Sequence, residues 1–119
     1  MLDHVSLKVS DYPRAQAFYD LALAPLGLTR MMGDGQHFAG YGDVRPFFWI
    51  GEGEGGPAHV AFAVPDRTMV DAFHAAAIGA GGRDNGGPGL RPQYHPGYYG
   101  AFALDPDGHN IEAVCHTSG

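Results

Sequence analysis

The sequence predicts an α+β fold built from one strand–helix–three-strand unit used twice. Three observations carry that expectation: a gapless internal repeat, an apolar alternation that opens each copy, and an acidic residue placed just before each helical stripe. The repeat has an offset of 55 residues, from His4 to His59. Residues 4–18 (HVSLKVSDYPRAQAF) lie over residues 59–73 (HVAFAVPDRTMVDAF). His4 falls on His59, Val5 on Val60, Val9 on Val64, Asp11 on Asp66, Phe18 on Phe73 and, further on, Gly27 on Gly82. Chance supplies a few such matches, but seldom strand alternation, a cap and a helix face together.

Each copy opens with a strand. Val5, Leu7 and Val9 alternate with His4, Ser6 and Lys8, and Val60, Phe62 and Val64 alternate with His59, Ala61 and Ala63 in the same phase. Period-two alternation gives one apolar face and one more polar face. Asp11 and Asp66 stand where a helix N-cap belongs, with Pro13 in the first turn of the first helix. Ala15, Phe18, Tyr19 and Ala22 form one helical stripe, and Val70, Phe73, Ala77 and Ile78 the other. Gly27 and the 79–82 stretch end the helices. Three extended pieces follow each helix, at about 28–32, 36–41 and 47–51, then at about 82–85, 100–104 and 110–115. Turn chemistry separates them: Gly33-Asp34-Gly35, Gly42-Asp43 and Asp105-Pro106-Asp107-Gly108. Residues 52–57, rich in Gly and Glu, link a first module of about 1–52 to a second of about 58–116.

A chain of 119 residues fits a single domain, 1–119, whose two modules share one core. The net charge of −6, with seven scattered Lys and Arg, leaves no basic stripe for phosphates, so nucleic acid is not an expected partner. The single cysteine, Cys115, excludes an intrachain disulfide and reads as a small buried hydrophobe. No apolar run has the length of a membrane span, and the N-terminus carries no signal-peptide pattern. A cytoplasmic location is therefore expected, with no membrane partner.

The chemistry-bearing residues are few. If the apolar face of each first strand packs on its helix, His4 and His59 occupy the opposite face. Glu112 alternates with Ile111 and Ala113, and a carboxylate among apolar strand residues calls for a partner or a metal. Two imidazoles and a carboxylate are a common ligand set for a divalent ion such as Fe, Mn, Zn or Ni. A strand histidine also occurs as a hydrogen-bonded core or surface residue, and the repeat alone does not bring Glu112 close to either one. The loop 91–100 (RPQYHPGYYG) holds Tyr94, His95, Tyr98 and Tyr99, side chains suited to acid–base work or substrate anchoring. Phe47, Phe48 and Trp49 form an aromatic run that sends Phe48 to one face and its neighbours to the other. Phe48, Trp49 and Tyr98 are the candidate substrate contacts. His37, His74, His109 and His116 read as background.

These residues resemble the vicinal oxygen chelate superfamily, which groups glyoxalase I, bleomycin-resistance proteins, fosfomycin-resistance enzymes and extradiol dioxygenases. The resemblance covers nearly the whole chain. It rests on the openings HVSLKVSD (4–11) with AFY (17–19) and HVAFAV (59–64), and most specifically on the closing DPDGHNIE (105–112). It implies two βαβββ modules forming a cupped mixed sheet with helices on the outside. It also implies a divalent metal held by His4, His59 and Glu112 that chelates two adjacent oxygens of a small-molecule substrate. Short members of the superfamily form homodimers, and some build each site from both chains. The glyoxalase I pattern has a further glutamate on the fourth strand, where this sequence reads Phe47-Phe48-Trp49-Ile50. The remaining two-His, one-Glu set is closer to the extradiol dioxygenases, in which a tyrosine and a histidine assist beside the metal; Tyr99 and His95 are the counterparts expected here. The function implied is that of a metal-dependent dioxygenase, lyase or isomerase, with a metal-free binding protein of the bleomycin-resistance type as the alternative.

Overall fold

The computed structural model describes residues 1–117. The chain runs β1 (Val5–Val9), α1 (Tyr12–Ala22), a 3-10 turn (Ala24–Leu26), β2 (Thr29–Gly33), β3 (Phe38–Gly42) and β4 (Pro46–Glu52). It then repeats with β5 (His59–Ala63), α2 (Arg67–Gly79), β6 (Arg83–Asp84), β7 (Gly89–Leu90), β8 (Tyr99–Leu104) and β9 (Asn110–Cys115). The fold is α+β, as the repeat predicts, with one mixed sheet from each module. The first is ordered β1-β4-β3-β2 and the second β5-β9-β8-β6, with β7 paired to β8. In each sheet the opening strand pairs in parallel with the closing strand, β1 with β4 and β5 with β9.

Local chemistry sets the helix boundaries. The Asp11 carboxylate accepts from the Arg14 backbone N–H, and Asp66 accepts from that of Met69, so both expected caps are in place. Gly27 adopts the left-handed φ of 78° that closes the 3-10 turn. The second copy departs from the first between β6 and β8. The sequence predicts one strand at 82–85, and instead two short pieces flank a detour through Gly86, whose φ is 140°. Gly86 still accepts from the Phe102 N–H, so the detour leaves the sheet edge partly paired.

Both helices pack on the apolar faces of the sheets and against each other, and one continuous core results. Phe18, Phe48 and Phe73 have no exposed surface, and each contributes about 1.5–3 kcal/mol through burial. The rings of Phe48 and Phe62 meet edge-on at 5.3 Å, joining the two modules. Cys115 lies fully buried in the core, as its strand phase predicts.

The closing DPDGH segment ties the modules together. The buried Asp105 carboxylate accepts from the Tyr19 hydroxyl of α1 at 2.5 Å and from the backbone of Asp107 and His109. Asp107 accepts from the Ser10 N–H at the end of β1. His109, read from sequence as background, is 2% exposed. Its Nδ1 accepts from the Ala58 N–H at 2.9 Å, and its Nε2 lies 2.7 Å from the Lys8 carbonyl. An acceptor at Nδ1 and a donor at Nε2 define one neutral tautomer.

Candidate active site

The face of the second sheet turned away from the helices carries the convergent chemistry. Register places His59 beside Asn110, Ala61 beside Glu112 and Phe102 beside Glu112. Period-two alternation therefore sets His59, Glu112 and Phe102 on one face. Glu112 is 1% exposed. One of its oxygens lies 2.9 Å from His59 Nε2, and the other accepts a short hydrogen bond from the Tyr98 hydroxyl. Tyr98 lies over Gly100, where a Cβ would sit 3.2 Å from the Tyr98 ring and 3.4 Å from the Glu112 carboxylate. His59, Glu112, Tyr98, Tyr94 and Phe102 line an open cavity of about 380 Å³. Burial, then the hydrogen bond to the Glu112 carboxylate, pushes the Tyr98 phenol up to about 12. It therefore stays protonated at neutral pH and acts as a hydrogen-bond donor.

Two of the three expected ligands are thus adjacent, and the third is elsewhere. His4 precedes β1, is largely exposed, and its Nδ1 pairs with Asp3 at 2.8 Å. It lines a different groove, of about 330 Å³, with Leu2, Val44, Phe47 and Val60. Among the described residues, no group of three or more His, Cys, Asp or Glu side chains converges within one chain. The donor set nonetheless suits a metal: an imidazole and a buried carboxylate face each other at the wall of an open cavity.

Three other sequence expectations need correction. Phe48, expected to touch substrate, has no exposed surface and packs against Tyr19 and Phe62 on the helix side of its sheet. Tyr99, expected beside the metal, alternates to the helix side of β8. Its hydroxyl donates to Asp71 of α2 at 2.6 Å, and the Arg67 guanidinium lies over its ring. The phase of Gly100 to Leu104 already separates Tyr99 from Glu112, so the preceding Tyr98 is the tyrosine that reaches the carboxylate. His95 stands beside the Tyr98 ring, with its nitrogens facing the Pro96 carbonyl and His116 instead of the cavity. Trp49 lies on the open face of the first sheet, stacked on Phe38, in a groove with Ser6 and Lys8. Phe102 is the cavity residue that sequence reasoning missed; its register opposite Glu112 was the available signal.

This fold occurs in solved structures. The chain is similar to a glyoxalase/bleomycin resistance protein from Albidiferax ferrireducens, with 30% identity over 95% of this chain and 97% of that one and a TM-score of 0.83. It shares the fold of a lactoylglutathione lyase from Agrobacterium tumefaciens (18% identity, 97% and 92% covered, TM-score 0.72). It also shares that of a mutant fosfomycin resistance protein from Listeria monocytogenes, solved with manganese(II) and 1S,2S-dihydroxypropylphosphonic acid (20% identity, 96% and 88% covered, TM-score 0.69). No protein-family model matches the chain, and no curated protein sequence does. The chain belongs to the glyoxalase/bleomycin resistance protein family, within the vicinal oxygen chelate superfamily.

Proposed function

We propose that the chain is a metal-dependent enzyme that chelates two adjacent oxygens of a small molecule. In this reading His59 and Glu112 of one chain, with His4 of a second copy, hold one divalent ion in a homodimer. The observation that carries it is the buried Glu112 facing His59 at 2.9 Å on the wall of an open cavity. Two features support the second copy. Among the described residues β1 and β5 each end a sheet, with one unpaired edge. Leu2 and Val44, flanking His4, are 81% and 87% exposed, an apolar surface that a symmetric partner would cover. A two-fold axis would complete both sites at once.

A divalent ion held by these residues would supply Lewis-acid polarisation of the chelated oxygens. The protein's own share is positioning. Tyr98 fixes one Glu112 oxygen by donating its phenol proton to it. Tyr94 and Phe102 wall the open cavity with aromatic rings. The three-ligand set leaves positions open for dioxygenase, lyase or isomerase chemistry; oxygen uptake with catechols separates the first from the others. In the same reading the chain is a single cytoplasmic domain acting on a small-molecule substrate.

The test is metal analysis with size-exclusion chromatography on protein purified without chelator. One ion per chain and a dimer are expected, with metal lost in Glu112→Ala and in His4→Ala. Substoichiometric metal unchanged in both variants would refute the reading. The aromatic lining of the cavity favours one second reading, a metal-free binding protein of the bleomycin-resistance type. Tight binding of a planar aromatic to chelator-treated protein, with no turnover under any metal, would select it.

A further inference from the structure

The loop that enters the cavity begins with an arginine that, among the described residues, has no carboxylate to neutralise it. Arg91 lies between β7 and the Tyr94–Tyr98 stretch, and its backbone N–H donates to the Tyr98 carbonyl at 2.7 Å. Its guanidinium rests over the ring of Phe102, 5.5 Å from the centroid, and Phe102 lines the cavity with His59 and Glu112. One Nη donates to the Gly87 carbonyl at 2.8 Å. The loop beneath is built to admit it: a Cβ on Gly86 or Gly89 would lie 3.1 or 3.2 Å from the guanidinium nitrogens.

Arg30 and Arg45 face Asp20 and Asp3. Among the described residues no carboxylate lies within ion-pair distance of Arg91. The nearby Glu112 is already engaged by His59 and Tyr98. Among the described residues, stacking on one ring face and a single carbonyl bond leave most of the guanidinium N–H groups without a protein acceptor. A guanidinium offers planar, paired donors that match a carboxylate or a phosphonate. We infer that the substrate carries an anionic group, a carboxylate or phosphonate, anchored by Arg91 at the rim of the cavity while its vicinal oxygens reach the ion at His59 and Glu112. This rests on the metal-dependent reading above and names the substrate class for it.

The experiment is calorimetric titration of zinc-loaded protein with 3,4-dihydroxybenzoate and, separately, with its methyl ester. Both carry adjacent oxygens and differ in charge at the far end of the ring; zinc keeps the probes from being oxidised. The acid is expected to bind about 10- to 100-fold more tightly than the ester, the range for a hydrogen-bonded charge. In Arg91→Gln that ratio should collapse to within about threefold, and Arg91→Lys, which keeps the charge without the fork, should give an intermediate ratio. A ratio that survives in both variants assigns Arg91 to bracing the loop alone and overturns the proposal. Equal affinities in the unaltered protein overturn it without any variant, so a misfolded Arg91→Gln does not shield it. Binding of neither probe would overturn this proposal together with the metal-chelating reading, whereas equal binding of both would leave that reading standing.

Discussion

On the open face of the first sheet Ser6 pairs with Trp49; at the same register of the second, Ala61 pairs with Glu112. Ser6 and Ala61 are equivalent in the repeat, so Trp49 occupies the position of Glu112. The surroundings have diverged to match. Trp49 lies flat over Gly40, where a Cβ would meet its ring at 2.7 Å, and stacks on Phe38. Glu112 is held by His59 and Tyr98. A large ring needs a bare backbone beside it, whereas a buried carboxylate needs donors on both oxygens. One exchange, supported by two different sets of neighbours, leaves one face built around a stacked ring and the other around a paired, buried carboxylate.

The largest expected effect breaks the second face. Glu112→Ala should weaken metal binding beyond the roughly 10- to 100-fold that loss of an outer partner costs, measured by competition with a metal indicator. Tyr98→Phe removes such a partner and should fall within that 10- to 100-fold range in the same assay. On the first face the equivalent test is steric. Gly40→Ala should destabilise the chain by about 1–3 kcal/mol, read as a shift in denaturant midpoint. Gly51→Ala, whose Cβ would meet nothing within 4 Å, should stay within about 0.5 kcal/mol. Equal costs at the two glycines would contradict the platform assigned to Gly40.

The smallest effect belongs to the turn that leads into the first face. The Asp34 carboxylate accepts from the backbone of His37, Gln36 and Phe38, and these bonds hold its pKa well below the usual carboxylate range. A depressed folded-state pKa stabilises at pH above the unfolded value of about 3.9 and is lost as pH falls through the lower folded value. Asp34→Ala should therefore lower the thermal midpoint slightly at pH 7 and leave it unchanged in strong acid, with metal binding unaffected at neutral pH.

Much of this architecture was legible from alternation and capping. The offset repeat located both opening strands, both caps and both helices, because strand phase and N-cap chemistry act over a few residues. Strand phase put His59 on the face away from the helix, but only the family resemblance, not the repeat, suggested Glu112 as its neighbour. His4 was legible as their symmetric counterpart, but its place relative to them depends on how whole modules pack, which no short-range pattern encodes. Phe48 and Tyr99 were misassigned by one strand position: in a period-two element, a slip of one moves a ring from the cavity to the core. The role of His109 was hidden because its partners, Ala58 and Lys8, are remote in sequence.

That imidazole bears on how the chain reaches its native state. A bond between residues 101 apart forms only after nearly the whole polypeptide has come together. One ring nitrogen serves the first strand of the early copy, and the other serves the residue that opens the later copy. The first half cannot complete its own backbone hydrogen bonding alone, because the Lys8 carbonyl and the Ser10 N–H are both answered from the closing segment of the second. A chain cut at the linker would leave the first fragment with an unanswered Lys8 carbonyl and Ser10 amide, and the second with a His109 ring nitrogen and an Asp105 carboxylate stripped of the groups that meet them across the module boundary.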